Sequence, residues 1–79
     1  MNIDTDRVDD MVLALLWLTT FKYGDGVRAW KGYSWEALGR LFEKGMIGDP
    51  KSKAKSVWLT DEGAKKSEEL FKKFFEQAR

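Results

Sequence analysis

Lys51, Lys53 and Lys55 alternate along a stretch of turn-forming residues that begins at Gly48, Asp49 and Pro50. The chemistry open to such a cluster is the neutralisation of phosphate, which releases counterions and gives salt-dependent affinity. Arg28 and Lys31 precede the second predicted helix, and Arg40 and Lys44 lie four apart on its outer face. Together these seven residues form the candidate nucleic-acid-binding set, with double-stranded DNA as the candidate partner. The same lysines also suit a solvated hairpin whose charges discourage edge-to-edge pairing. Glu36 and Glu43 sit among the helix cations and would repel phosphate, and the net charge is only +1. Binding of this kind must therefore come from a local patch rather than from bulk charge.

Other chemistries find little support. The 79 residues contain no histidine and no cysteine. That removes Ser–His and Cys–His nucleophiles, disulfides and the ordinary structural zinc site. Asp4, Asp6, Asp9 and Asp10 gather at the start of the first helix, with Asp6 and Asp10 on one face, but no second acidic group completes a metal or acid–base pair. They read as helix caps and dipole partners. No nucleotide-binding motif is present. The expectation is a non-enzyme with no catalytic residues, no metal and no cofactor. Trp30, Tyr33 and Trp35 stand close enough together to form a groove for a base, a ligand or a peptide. The competing reading, and the expected one, is that these rings and Trp17, Tyr23 and Trp58 fill the core of a small domain.

The elements follow from apolar spacing and turn chemistry. A first helix is predicted over Asp6–Thr20, with one stripe of Val8, Met11, Val12, Leu15 and Leu18 and another of Leu13, Leu16 and Trp17. Two apolar faces imply a helix covered on both sides, within the domain or between subunits. Lys22–Tyr33, with glycines at 24, 26 and 32, reads as a connector holding a short strand over Val27–Trp30. A second helix is predicted over Trp35–Lys44, between an N-capping Ser34 and a C-terminal Gly45. Met46–Leu59 reads as a β-hairpin with Pro50 in its turn. A third helix is predicted over Asp61–Gln77, capped by Thr60, its buried stripe being Ser67, Leu70, Phe71, Phe74, Phe75 and Ala78.

The segment Leu38–Gly63 reads helix, Glu43-Lys44-Gly45-Met46-Ile47, basic turn, Val57-Trp58-Leu59-Thr60-Asp61-Glu62-Gly63, helix. This resembles the second half of winged helix-turn-helix domains in bacterial regulators of the MarR and PadR type. The resemblance implies a DNA-reading second helix, a wing formed by the hairpin and a dimerising last helix. It covers about a third of the chain. The supporting helix of that motif has no counterpart, because its place is the glycine-rich Lys22–Tyr33. The whole chain, including Arg28-Ala29-Trp30-Lys31-Gly32, also resembles a small bacterial family of uncharacterised proteins.

The expectation is therefore one domain spanning residues 1–79, mainly α with a small β-hairpin (α+β), reduced and winged-helix-like. Its expected order is helix, short strand, helix, two strands, helix. The run Met11–Leu18 is preceded by aspartates and is too short to span a bilayer, so a cytoplasmic protein is expected, away from membranes. A core this small leaves apolar surface uncovered. A homodimer is expected, with Leu13, Leu16, Trp17, Phe71, Phe74 and Phe75 as candidate interface residues. A homodimeric protein–protein interaction module without nucleic-acid binding is the alternative to a DNA-binding regulator or accessory factor.

Overall fold

A computed structural model describes residues 1–77, three helices and a three-stranded antiparallel sheet. The α+β class is as expected. The elements are α1 (Thr5–Leu16), β1 (Thr20–Tyr23), β2 (Gly26–Trp30), α2 (Trp35–Glu43), β3 (Ser56–Leu59) and α3 (Asp61–Phe75). Ala78, assigned to the stripe of the last helix, lies outside the described residues.

The first helix stops at Leu16, short of the predicted Thr20. A 3-10 turn over Trp17–Thr19 follows, and two threonines explain the stop. Thr19 Oγ1 donates to the Leu16 carbonyl at 3.3 Å and Thr20 Oγ1 to the Trp17 carbonyl at 2.9 Å. Local hydroxyl bonds of this kind compete with helix continuation. Thr20-Phe21-Lys22-Tyr23 then brings together β-branched and aromatic residues, which suits a strand. Gly24, at φ +59°, turns the chain within two residues, so Tyr23 pairs with Gly26. The predicted connector is thus largely a β-hairpin.

The hairpin predicted over Met46–Leu59 is reduced on one side. β3 pairs antiparallel with β2 instead, from Val27–Leu59 to Trp30–Ser56. Ile47 keeps only an isolated bridge to Leu59, and Gly48 N donates to the Trp58 carbonyl at 2.8 Å. Two antiparallel neighbours therefore hold β3, and the sheet order is β1-β2-β3. Residues 49–55 form a loop. Lys31 pins it, its Nζ donating to the carbonyls of Pro50 at 2.8 Å and Ser52 at 2.7 Å.

The core draws on every layer: Leu13, Ala14 and Leu16 from α1, Ala29 from β2, Leu38 and Leu41 from α2, Ile47, Val57 and Leu59, and Leu70 from α3. α1 packs chiefly along α3. Where they meet, the buried Ser67 hydroxyl donates to the Leu13 carbonyl at 2.7 Å. The buried face of α1 is therefore the Leu13–Leu16 stripe. Val8 and Leu18 of the other stripe are exposed, and Met11, Val12 and Leu15 are half-buried.

The junction before α3 is closely packed. Thr60 Oγ1 accepts from Gly63 N at 2.9 Å and donates to the Gly45 carbonyl at 2.7 Å, while Thr60 N donates to the Met46 carbonyl at 3.0 Å. One residue thus caps α3 and ties it to the end of α2. A β-carbon on Gly63 would overlap the Met46 carbonyl, backbone against backbone. Gly63→Ala should cost about 3 kcal/mol or more in urea unfolding. Gly39→Ala, whose β-carbon meets nothing within 4 Å on α2, should gain about 0.5–1 kcal/mol from helix propensity. Equal stabilities for the two variants would refute close packing at Gly63.

Candidate nucleic-acid interface

Strand alternation divides the sheet into two chemistries. Val27, Ala29, Val57 and Leu59 turn to the core. The opposite face carries Phe21 and Tyr23 from β1, Gly26, Arg28 and Trp30 from β2, and Ser56 and Trp58 from β3. Tyr23 is 59 % exposed, Trp30 52 % and Trp58 39 %. Two aromatic pairs cross the strands: Phe21 with Trp30, and Tyr23 edge-on to Trp58, each with ring centroids 5.5 Å apart. Gly26 is required beneath the second pair, because a β-carbon there would come within 2.5 Å of the Trp58 ring.

Arg28 lies between the pairs. Its Nε donates to Ser56 Oγ at 2.7 Å and its Nη2 to the Ser56 carbonyl at 2.6 Å. Its guanidinium carbon sits 4.7 Å from the Trp58 ring centre and 5.8 Å from that of Tyr23. A cation over an aromatic face adds about 0.5–1 kcal/mol at exposed sites. The two bonds fix the guanidinium plane while leaving other N–H donors free. Beyond Gly32, Trp35 is 63 % exposed, with Lys31 Nζ 5.7 Å from its ring centre. Trp30 and Trp35 line a groove with Lys31, Ser52, Lys53 and Lys55. The expectation that these rings fill the core is therefore overturned for Tyr23, Trp30, Trp35 and Trp58. Trp17 and Tyr33 are half-buried.

The seven candidate cations separate into three groups. Lys51, Lys53 and Lys55 are exposed on the loop, and no ion pair among the described residues involves them. Arg28 and Lys31 flank the aromatic face but also hold Ser56 and the loop. Arg40 and Lys44 are turned toward α1. Arg40 Nε lies 2.8 Å from Asp9 Oδ2, and Lys44 Nζ lies 3.0 Å from the same oxygen and 3.1 Å from Asp6 Oδ1. They are not free on an outer face, because the buried Asp9 carboxylate requires compensation. The reading of the aspartates as caps holds for Asp4, whose Oδ1 accepts from Arg7 N at 3.1 Å. For Asp9, fully buried, it does not.

Burial is the largest single influence and raises the Asp9 pKa, but the hydrogen bonds from Arg40 and Lys44 and the attraction of their charges together outweigh it and hold the group below the ordinary carboxylate value. The hydrogen bond to Asp9 raises both Arg40 and Lys44.

Of the candidate interface residues, Leu13 and Leu16 are fully inside the domain. Trp17, Phe71 and Phe74 are half-buried and Phe75 is exposed. Phe74 packs against the core, and Phe75 lies 5.3 Å from Phe71 between ring centres. The exposed apolar surface of α1 is the other stripe, where Ile3, Val8, Met11, Val12 and Leu15 line a shallow groove. Sequence reasoning did not assemble Phe21, Tyr23 and Trp58 into one face. The signal was the period-two alternation in Thr20–Tyr23 and Ser56–Leu59. No helix among the described residues is long and apolar enough to cross a membrane.

Helices packed on one face of a small antiparallel sheet, with aromatic rings on the other, define an α+β domain with one decorated sheet surface. The chain belongs to a family described as a domain of unknown function (DUF6429), whose model matches residues 4–77. It is 53 % identical over 75 residues to the uncharacterized protein y4hR of Sinorhizobium fredii (strain NBRC 101917 / NGR234), covering 95 % of this chain and 97 % of that one. No solved structure matches it significantly.

The ion cluster yields a pH dependence. The depressed Asp9 pKa means its contribution is complete above the ordinary carboxylate range and disappears as pH falls through the lowered value. Lys44, raised, contributes below the ordinary lysine value and loses this as pH rises through its higher one. Asp9→Asn should lower stability at pH 7 by about 2 kcal/mol, the scale of hydrogen bonds to charged groups. It should also flatten the acid limb of stability below about pH 4. Unfolding measured across pH checks both, and an unchanged acid limb would remove Asp9 from this role.

Proposed function

We infer that the chain is a small nucleic-acid-binding protein, a regulator or accessory factor of winged-helix-like layout. Its contact surface would be the lysine loop and the outer sheet face rather than the second helix. The observation that carries this is the grouping of Lys53, Lys55, Lys31 and Arg28 around exposed Trp30, Trp35 and Trp58. The order α2, Ile47 bridged to Leu59, basic loop, β3 and α3 accords with the resemblance to winged regulators. The departures from those regulators are the hairpin β1–β2 in place of the supporting helix and the surface of α2. Arg40 and the C-capping Lys44 serve Asp9, and Trp35, Glu36, Phe42 and Glu43 are what the helix exposes. Two carboxylates on that surface oppose phosphate, so positioning on the backbone falls to the loop. No step of this function requires catalysis, a metal or a cofactor.

Fluorescence anisotropy with a labelled mixed-sequence duplex and with its separated strand, at about 50 and about 200 mM salt, tests the reading. Binding at low salt that weakens steeply at high salt is expected. Replacing Lys51, Lys53 and Lys55 together by Glu should reduce the logarithmic salt slope by about 3 for the duplex and about 2 for the single strand, in proportion to the number of phosphates left unneutralised. Absence of binding to both forms at low salt ends the proposal.

A homodimer is the second reading, favoured by the uncovered apolar stripe of α1 and by exposed Leu18 and Phe75. Light scattering should then give a mass that rises with concentration toward twice the chain mass. Val8→Asp or Phe75→Asp should hold it at one chain while leaving thermal unfolding unchanged. A constant single-chain mass for the unaltered protein refutes this reading.

A further inference from the structure

We propose that the outer sheet face binds single-stranded nucleic acid, with bases stacked on Trp30 and Trp35 and phosphates held by Lys53, Lys55 and Arg28. This rests on the phosphate-binding reading above and specifies the strand state of the ligand. Three observations lead to it.

The first is the kind of surface. In a duplex the flat faces of the bases are covered by their neighbours, and only edges and phosphates are presented. Exposed rings gain nothing from such a ligand. An unpaired strand offers a π-face at every base, and stacking on aromatic side chains is the sequence-tolerant way to hold it. Trp30 and Trp35 are each more than half exposed, on either side of Gly32, a position where no side chain intrudes.

The second is charge. The groove at Trp30 and Trp35 carries Lys31, Lys53 and Lys55, and the adjoining one at Tyr23 and Trp58 carries Arg28. No acidic residue lines either groove. In a chain with 14 basic and 13 acidic residues, that local segregation matches a polyanion.

The third is continuity and rigidity. The two grooves meet at Ala54, so aromatic and cationic groups run in one strip across the sheet. The loop forming one wall is anchored by Lys31 to Pro50 and Ser52 and by the Lys31 N–H to the Lys55 carbonyl at 3.0 Å. Arg28 is fixed by Ser56. The surface is therefore formed before a ligand arrives, which lowers the ordering cost of binding.

The full chain would be titrated against labelled oligothymidylate, oligouridylate and a mixed-sequence duplex, following anisotropy and intrinsic tryptophan fluorescence together. The expected result is tighter binding to a single strand than to the duplex, with quenching of tryptophan emission. The deoxy and ribo arms report which backbone is preferred. Trp30→Ala and Trp35→Ala should each weaken single-strand binding about tenfold, the scale of removing one base–aromatic stack, and weaken duplex binding by clearly less. Trp35 has no aromatic partner on the sheet, so its variant remains informative if loss of the Phe21–Trp30 pair impairs folding. Equal or tighter duplex binding, without quenching and indifferent to Trp35→Ala, would overturn this proposal while leaving the phosphate-binding reading intact. No binding to any of the three would overturn both.

Discussion

A single carboxylate governs the arrangement of charge on this protein. Asp9 is fully buried at the junction of α1 and α2, and two cations from α2 and its C-cap converge on it. An unpaired carboxylate there would carry a heavy desolvation penalty. Arg40 and Lys44 are consequently drawn to the α1 side of the helix, and the Lys44 tie to Asp6 reinforces this. The clamp fixes how the second helix lies against the first. It also sorts the basic residues: those of α2 and its cap are committed internally, and those of the loop remain exposed.

The sheet is organised by a complementary constraint. Its inner face supplies Ala29, Val57 and Leu59 to a small apolar core, and the helices cover only that face. The other face has to be stabilised by its own cross-strand contacts. Arg28 performs much of that task, bonding to Ser56 while lying against Trp58. Large exposed rings are unusual on a surface held together in this way, since contiguous apolar patches tend to mark interaction sites. The same residues that stabilise the face are the ones a ligand would meet.

Much of the architecture was legible in the chain. Gly45 and Thr60 mark helix boundaries within a residue or two, because capping is local chemistry, while Ser34 stands at the start of α2 without a side-chain cap bond. The strand Val27–Trp30 was visible as a short run between glycines that break helical structure, and the extended return at Lys55–Leu59 as alternation. What was not legible depended on partners distant in sequence. The pairing of β3 with β2 competes with a local hairpin that has equally good turn residues, and only tertiary packing decides between them. The α1 stripes have similar hydropathy, so the choice of Leu13 and Leu16 for the interior required knowledge of where α3 lies. Asp9 resembles its neighbours Asp6 and Asp10 in sequence, and its burial depends on cations more than 30 positions away. The candidate surface was half visible, as lysines and nearby tryptophans, but its β1 and β3 members needed the strand register.

The borders of the sheet differ in a way that bears on assembly. Beyond β3, Ile47 and Gly48 already occupy the backbone groups around Leu59 and Trp58. The opposite margin, Thr20–Tyr23, is bordered by no further strand among the described residues. A molecule with one open margin and one obstructed margin can share main-chain bonds with a sister copy only by joining like to like. Antiparallel joining of that kind leaves no margin for a third molecule. Growth by strand addition would thus terminate as a symmetric six-stranded pair rather than propagate into a filament.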